Sequence, residues 1–208
     1  MRHLLLAVGL WWAGTGSLFA ATVLIVGDSI SAAYGIDKEQ GWVALFEAQY
    51  VPHCEGLRVS NASVSGDTTA GGAARLPALL RDMKPDIVVI ELGGNDGLRG
   101  LSPQAMEQNL RRMVTLSREA GAVPLLFGMY LPPNYGAAYR GLFEAAFVRV
   151  AQEQAVPLLP FFLDGVGAVE GMMLDDGIHP NAAAQPRLLE NARPLLEQAL
   201  QPFCGALS

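Results

Sequence analysis

Only two cysteines, Cys54 and Cys204, occur in the 208 residues, and neither belongs to a Cys-x-x-Cys pair. A structural zinc site needs a tetrahedral set of closely spaced ligands, so no metal is expected. Lys and Arg number 14 against 20 Asp and Glu, giving a formal charge of −6, and no block of basic residues exists. That excludes the electrostatic footprint of nucleic-acid binding. Charged residues make up only 16% of the chain and hydrophobic ones 51%, a balance suited to one globular domain with a large core. No repeat, low-complexity tract or linker divides it. Histidine is scarce as well, with three in all.

The first twenty residues differ from the rest. Arg2 and His3 precede an apolar run from Leu4, and Gly14, Gly16, Ser17 and Ala20 then supply small residues. This is the layout of a secretory signal peptide cleaved near Ala20–Ala21. The run is shorter than the roughly 20 residues a spanning helix needs, and glycines interrupt it. No Cys follows the run, which disfavours a lipoprotein anchor. Residues 1–20 are therefore read as an export signal and 21–208 as a single domain, with no integral membrane segment after cleavage. Loss of Arg2 takes the formal charge to −7, and loss of His3 leaves only His53 and His179. Export makes a disulfide permissible.

Short β-rich runs alternate with helical patterns. Residues 22–27 form a continuous apolar strand of the kind covered on both faces. Further strands are expected over 57–63, 86–92, 123–129 and 156–160. Helices are expected over 38–50, striped by Trp42, Leu45, Phe46 and Tyr50, and over 69–83. Another runs from the Ser102 N-cap and Pro103 to Gly121, and another over 137–154. A last helix is striped by Leu188, Ala192, Leu195, Leu196 and Leu200 and kinked by Pro194. Strands alternating with helices give an α/β fold, a three-layer α/β/α sandwich around a five-stranded parallel sheet.

In such sheets, sites form beyond the C-terminal ends of the strands. Ser29 follows the first strand in Gly-Asp-Ser, Gly66 follows the second and Asn95 the third, and Asp176 and His179 lie after the fifth. Each alone has a plainer reading as a turn or helix-cap residue. A serine nucleophile needs a base that titrates near neutrality, and of the two remaining histidines His53 sits beside Cys54 at the bottom of a helix. His179 is the candidate base. Asp176, three residues earlier, can reach its Nδ1–H and fix the tautomer. Gly66 and Asn95 can supply N–H donors to a developing oxyanion, with the Ser29 amide as a third. Asp28 and Asp96 read as caps or loop pins.

The blocks GDSIS, NASVSGDT, ELGGNDGLRG and DGIHPN, in this order and spacing, resemble the four sequence blocks of the SGNH hydrolases, also called the GDSL family. Ile30 stands where the family name has Leu. The likeness extends over residues 22 to about 200, through ARLPALL, LPPNYG and AQP. It implies a flavodoxin-like strand order 2-1-3-4-5, no cofactor, a periplasmic location and monomeric action. Its functional set falls on Ser29, Gly66, Asn95 and His179, with Asp176 completing a triad. Implied substrates are small-molecule acyl compounds: aryl and acyl esters, acyl-CoA thioesters and lysophospholipids. The loops 97–100 and 131–136 match those that line the acyl groove in relatives, so Leu98, Pro132 and Ile178 are expected as apolar contacts. In the implied arrangement the first and last helices cover one face and end together, which pairs Cys54 with Cys204. The Gly-x-Ser-x-Gly elbow of the standard α/β-hydrolases is absent. Two rival readings are a carbohydrate acetylesterase of the same family and an exported, non-catalytic acyl-ligand-binding protein.

Overall fold

Five parallel strands lie side by side in the order β2-β1-β3-β4-β5 in the computed structural model, which describes residues 21–205. The proposed export signal, residues 1–20, lies outside the described residues. The strands are β1 (Thr22–Gly27), β2 (Arg58–Asn61), β3 (Ile87–Glu91), β4 (Val123–Phe127) and β5 (Leu158–Leu159). β1 is an interior strand and registers Val23 against Val59 on one side and Ile87 on the other. Val23–Val26 and Ile87–Ile90 are fully buried. Each such Val or Ile stabilises the fold by about 1.5–3 kcal/mol relative to an exposed one. The apolar runs of β1 and β3 are thus what fixes the middle of the sheet.

The helices are α1 (Trp42–Tyr50), α2 (Thr69–Met83), α3 (Gly94–Leu98), α4 (Pro103–Glu119), α5 (Ala137–Gln154) and α6 (Gln185–Cys204). α1 packs on α6 over one face, and α2, α4 and α5 pack together over the other. The stripe of α6 is buried at Leu188, Ala192, Leu196 and Leu200, and that of α1 at Trp42, Val43, Phe46 and Tyr50. Ser102 caps α4 by accepting from the Ala105 N–H, as its position before Pro103 predicts.

Several boundaries differ from the sequence expectation. β2 is shorter than 57–63 and only partly buried, because it is an edge strand. β5 keeps only two residues, since pairing with β4 stops at Leu159. The first helix does not run from 38: Gly41 is extended, with φ −65° and ψ 150°, and separates a single 3-10 turn at Lys38–Gln40 from α1. α6 continues as one element past Pro194. α3 reaches into the expected loop 97–100 and has no counterpart among the expected helices, because five residues with two glycines carry no helical stripe.

Cys54 and Cys204 are joined as a disulfide with Cα atoms 4.9 Å apart. Cys54 follows the 3-10 turn Val51–His53 that continues α1, and Cys204 closes α6, at the edge of the sheet where the strands begin. The opposite edge carries the polar residues described next.

Candidate active site

β1 ends at Gly27, and the chain then turns sharply, with the Ala32 N–H bonded to the Asp28 carbonyl and the Tyr34 N–H to that of Ser29. This turn holds Ser29 at the end of a rigid, buried strand, with only 8% of its surface exposed. Asn61, at the end of β2, donates from its side chain to the Ser31 carbonyl at 2.7 Å and ties the turn to the neighbouring strand.

His179 comes from the long segment between β5 and α6. Its Nε2 lies 2.9 Å from Ser29 Oγ, and its Nδ1 lies 2.6 Å from Asp176 Oδ2. The other Asp176 oxygen accepts the N–H groups of Ile178 at 2.8 Å and His179 at 3.0 Å. That Asx-type turn is why a spacing of three residues suffices to aim the carboxylate at its own neighbour. The His179 side chain and the two backbone N–H groups hold the Asp176 carboxyl down at about 2. An ionised acid then fixes the imidazole tautomer with Nδ1–H toward Asp176 and a basic Nε2 toward the serine. This is the arrangement in which a histidine can take a hydroxyl proton.

Gly66 and Asn95 arrive at the same edge from different elements. Gly66 follows β2 and has φ +78°, a conformation that strains a residue bearing a Cβ. Among the described residues, neither its N–H nor that of Ser29 has a protein acceptor. Asn95 lies in the first turn of α3 and donates one side-chain N–H to Asp28 Oδ2 at 3.0 Å, which leaves its second N–H available. Three N–H donors therefore have no competing protein partner, as a site for a developing oxyanion requires.

Asp28 does more than cap the turn. It is 2% exposed, and its Oδ1 accepts the Ile30 N–H at 3.0 Å while Oδ2 holds Asn95. Burial pushes its carboxyl up to about 6, against the opposing pull of the Ile30 and Asn95 bonds. Asp96 is a pin, as its sequence context suggests. It accepts from the Thr69 hydroxyl at 2.6 Å and the Thr69 N–H at 2.8 Å, fastening α2 to α3.

Of the three expected apolar contacts, Leu98 is half-buried in α3, Pro132 is exposed in the loop before α5, and Ile178 is exposed beside His179. The loops of the first two are tied together by the Tyr135 hydroxyl, which donates to the Leu98 carbonyl at 3.1 Å.

Three side chains at this edge escaped the sequence reading. The Tyr34 ring lies 4.4 Å from that of His179, tilted by 40°. Arg99 donates to the Gly66 carbonyl at 2.7 Å and so links the loop after α3 to the one after β2. Glu91 lies fully buried at the end of β3. Only Glu91 left a mark in the sequence, as the one charged residue closing the apolar run IVVIE. Among the described residues no group of His, Cys, Asp and Glu side chains could hold a metal ion.

The GDSL-like Lipase/Acylhydrolase family model matches residues 25–186. The chain is 57% identical to Esterase TesA of Pseudomonas aeruginosa over 181 residues, covering 87% of this chain and 90% of that one. It is 48% identical to Thioesterase 1/protease 1/lysophospholipase L1 of Escherichia coli K12 over 184 residues, covering 88% and 85%. With Arylesterase of Vibrio mimicus it shares 40% over 190 residues, covering 91% and 95%. The crystal structure of TesA superposes with a TM-score of 0.82 at 56% identity, covering 88% of this chain and 99% of that one.

Proposed function

The chain belongs to the GDSL-like lipase/acylhydrolase family, and we propose that Ser29, His179 and Asp176 carry its reaction. The protein is an ester and thioester hydrolase. Ser29 Oγ attacks the acyl carbonyl while His179 Nε2 takes its proton, and the negative charge on oxygen falls to the N–H groups of Ser29, Gly66 and Asn95. His179 returns the proton to the leaving alcohol or thiol. Water then attacks the acyl carbonyl as His179 takes its proton, the bond to Ser29 Oγ breaks to release the acid, and His179 returns the proton to Ser29 Oγ.

The observation that carries this reading is the unbroken chain from Asp176 through His179 to Ser29, at 2.6 Å and 2.9 Å. No cofactor enters any step. The substrates are aryl and acyl esters, acyl-CoA and lysophospholipids, with Leu98, Pro132 and Ile178 against the acyl chain. Action as a monomer is part of the same reading. The charged-then-apolar residues 2–20 and the paired cysteines support export to the periplasm. No helix among the described residues is long and apolar enough to cross a membrane.

A fluorophosphonate should attach covalently to Ser29. Ser29→Ala and His179→Ala should each cut turnover of a short nitrophenyl ester by about 10⁴-fold or more while the circular dichroism spectrum stays native. Labelling of another serine, or full activity in Ser29→Ala, would sink the assignment. A panel of acyl-CoA, lysophospholipid, aryl-ester and acetylated-sugar substrates ranks the substrate classes. A preference for the sugars would replace the proposed class with the acetylesterase one.

A further inference from the structure

Behind the turn that presents Ser29 sits Glu91, with no exposed surface. Its Oε2 is a hub, accepting the Ser31 hydroxyl at 2.6 Å and lying 3.4 Å from the Asp28 N–H that donates to it. Ser31 Oγ in turn accepts the indole N–H of Trp42 at 3.1 Å. Gly27 gives this cluster its room, because a Cβ there would stand 2.7 Å from Glu91 Oε2 and 2.8 Å from Ser31 Oγ. The other oxygen, Oε1, is buried and has no hydrogen-bond partner.

The charged groups around it are few. Asp28 flanks it at the end of β1. From α2, Arg75 reaches the Gly27 carbonyl at 3.3 Å, but its charge is engaged by Asp67 at 2.8 Å. His179 and Asp67 lie within reach of Asp28 by charge. Among the described residues no cation pairs with Glu91. An ionised Glu91 would leave one buried charged oxygen without a protein donor, beside a second carboxylate. A neutral carboxyl keeps the Oε2 hub and leaves only an uncharged hydroxyl unpaired, which costs far less.

Resting on the assignment of Ser29 as nucleophile, we propose that Glu91 is carried protonated in the folded enzyme and is the positioning residue of the nucleophile turn. Its neutral carboxyl fixes Ser31 and the Asp28 N–H. With no charge beneath it, Asp28 can ionise above about pH 6 and aim the Asn95 amide. Burial first, and then the Asp28 charge, push the Glu91 carboxyl well above its ordinary range, while the Ser31 and Asp28 bonds oppose them. The direction agrees with the geometry.

Three measurements test this. Glu91→Ala should lower kcat by about 10²-fold with KM nearly held, as loss of reactant alignment does, and Glu91→Gln should recover most of that loss. The wild-type infrared spectrum near neutral pH should carry the carbonyl stretch of a protonated carboxylic acid that Glu91→Gln lacks. Thermal stability supplies a sign. A carboxyl whose folded pKa is raised stabilises the fold fully below its unfolded pKa and loses that contribution as pH rises through the folded value. The Tm of Glu91→Gln minus that of wild type should therefore increase from pH 5 to pH 8. A difference that falls instead, a missing infrared band, or a Gln variant as inactive as the Ala one would overturn the proposal. Should Glu91→Gln fail to fold, the wild-type band decides, its presence supporting the proposal and its absence refuting it. Fluorophosphonate labelling of Ser29 should persist, more slowly, in Glu91→Ala. Failure of the nucleophile assignment would instead remove Ser29 labelling from the wild type, so the two failures are distinct.

Discussion

Asn95, in the first turn of α3, and Asp28, just past β1, are 67 residues apart in sequence, and the amide of one donates to the carboxylate of the other at 3.0 Å. One N–H of Asn95 is thereby fixed, and the direction of the second follows from the planarity of the amide. A flexible side chain becomes a preorganised donor, which is the property that lowers a barrier when charge develops on a carbonyl oxygen.

Asn95→Ala should therefore reduce kcat by about 10²–10³, or roughly 3–4 kcal/mol of transition-state stabilisation, and leave KM close to wild type. Steady-state kinetics on one nitrophenyl ester check this. A change confined to KM would make Asn95 a substrate-contact residue.

The carboxyl of Asp176 offers a prediction in pH. It titrates at about 2 in the folded protein, chiefly because His179 bonds to it, against a reference value of 3.8. A depressed folded pKa means stabilisation that is present above the unfolded pKa and is lost as pH falls through the folded one. The Tm penalty of Asp176→Ala should accordingly be full above about pH 5 and shrink between pH 4 and pH 2. A penalty independent of pH in that range would show that the side chain contributes by packing alone. At neutral pH, Asp176→Asn should lower kcat by about 10⁴, because the imidazole tautomer is no longer held.

The disulfide joins residues 150 apart in sequence. The chain-entropy model gives on the order of 5 kcal/mol for such a loop, and measured bridges deliver less, so about 2–4 kcal/mol is expected. Reduction should lower Tm while leaving room-temperature activity nearly intact, because the bond and Ser29 occupy opposite edges of the sheet. Thiol titration of the denatured, unreduced protein should find no free thiol, and two would refute the bridge.

How legible was this in the sequence? The strand order agrees with the order the family resemblance implies, and β1 and β3 were plain because both faces of each are covered and their residues are uniformly apolar. Ser29 and Asn95 could be picked out because each follows such a run, Gly66 because it follows the expected second strand, and His179 because His53 was the one other histidine left. Asp176 could be paired with His179 because the contact is local. What stayed hidden depends on tertiary approach. Nothing in the spacing of Tyr34 and His179, or of Arg99 and Gly66, says that these pairs meet. β5 was overextended because an apolar run continues past the point where its partner strand ends. α3 was missed because five residues cannot declare a period.

Trp42 is the single tryptophan among the described residues, the other two of the chain being Trp11 and Trp12. Its ring is fully buried, and its N–H is one hydrogen bond from Ser31 and two from Glu91. In a chain that begins at residue 21, all indole fluorescence originates at this one position beneath the turn that carries Ser29. Emission wavelength and quenching thus become a label-free optical gauge of that turn, able to follow ligand, pH and local opening in the unmodified protein.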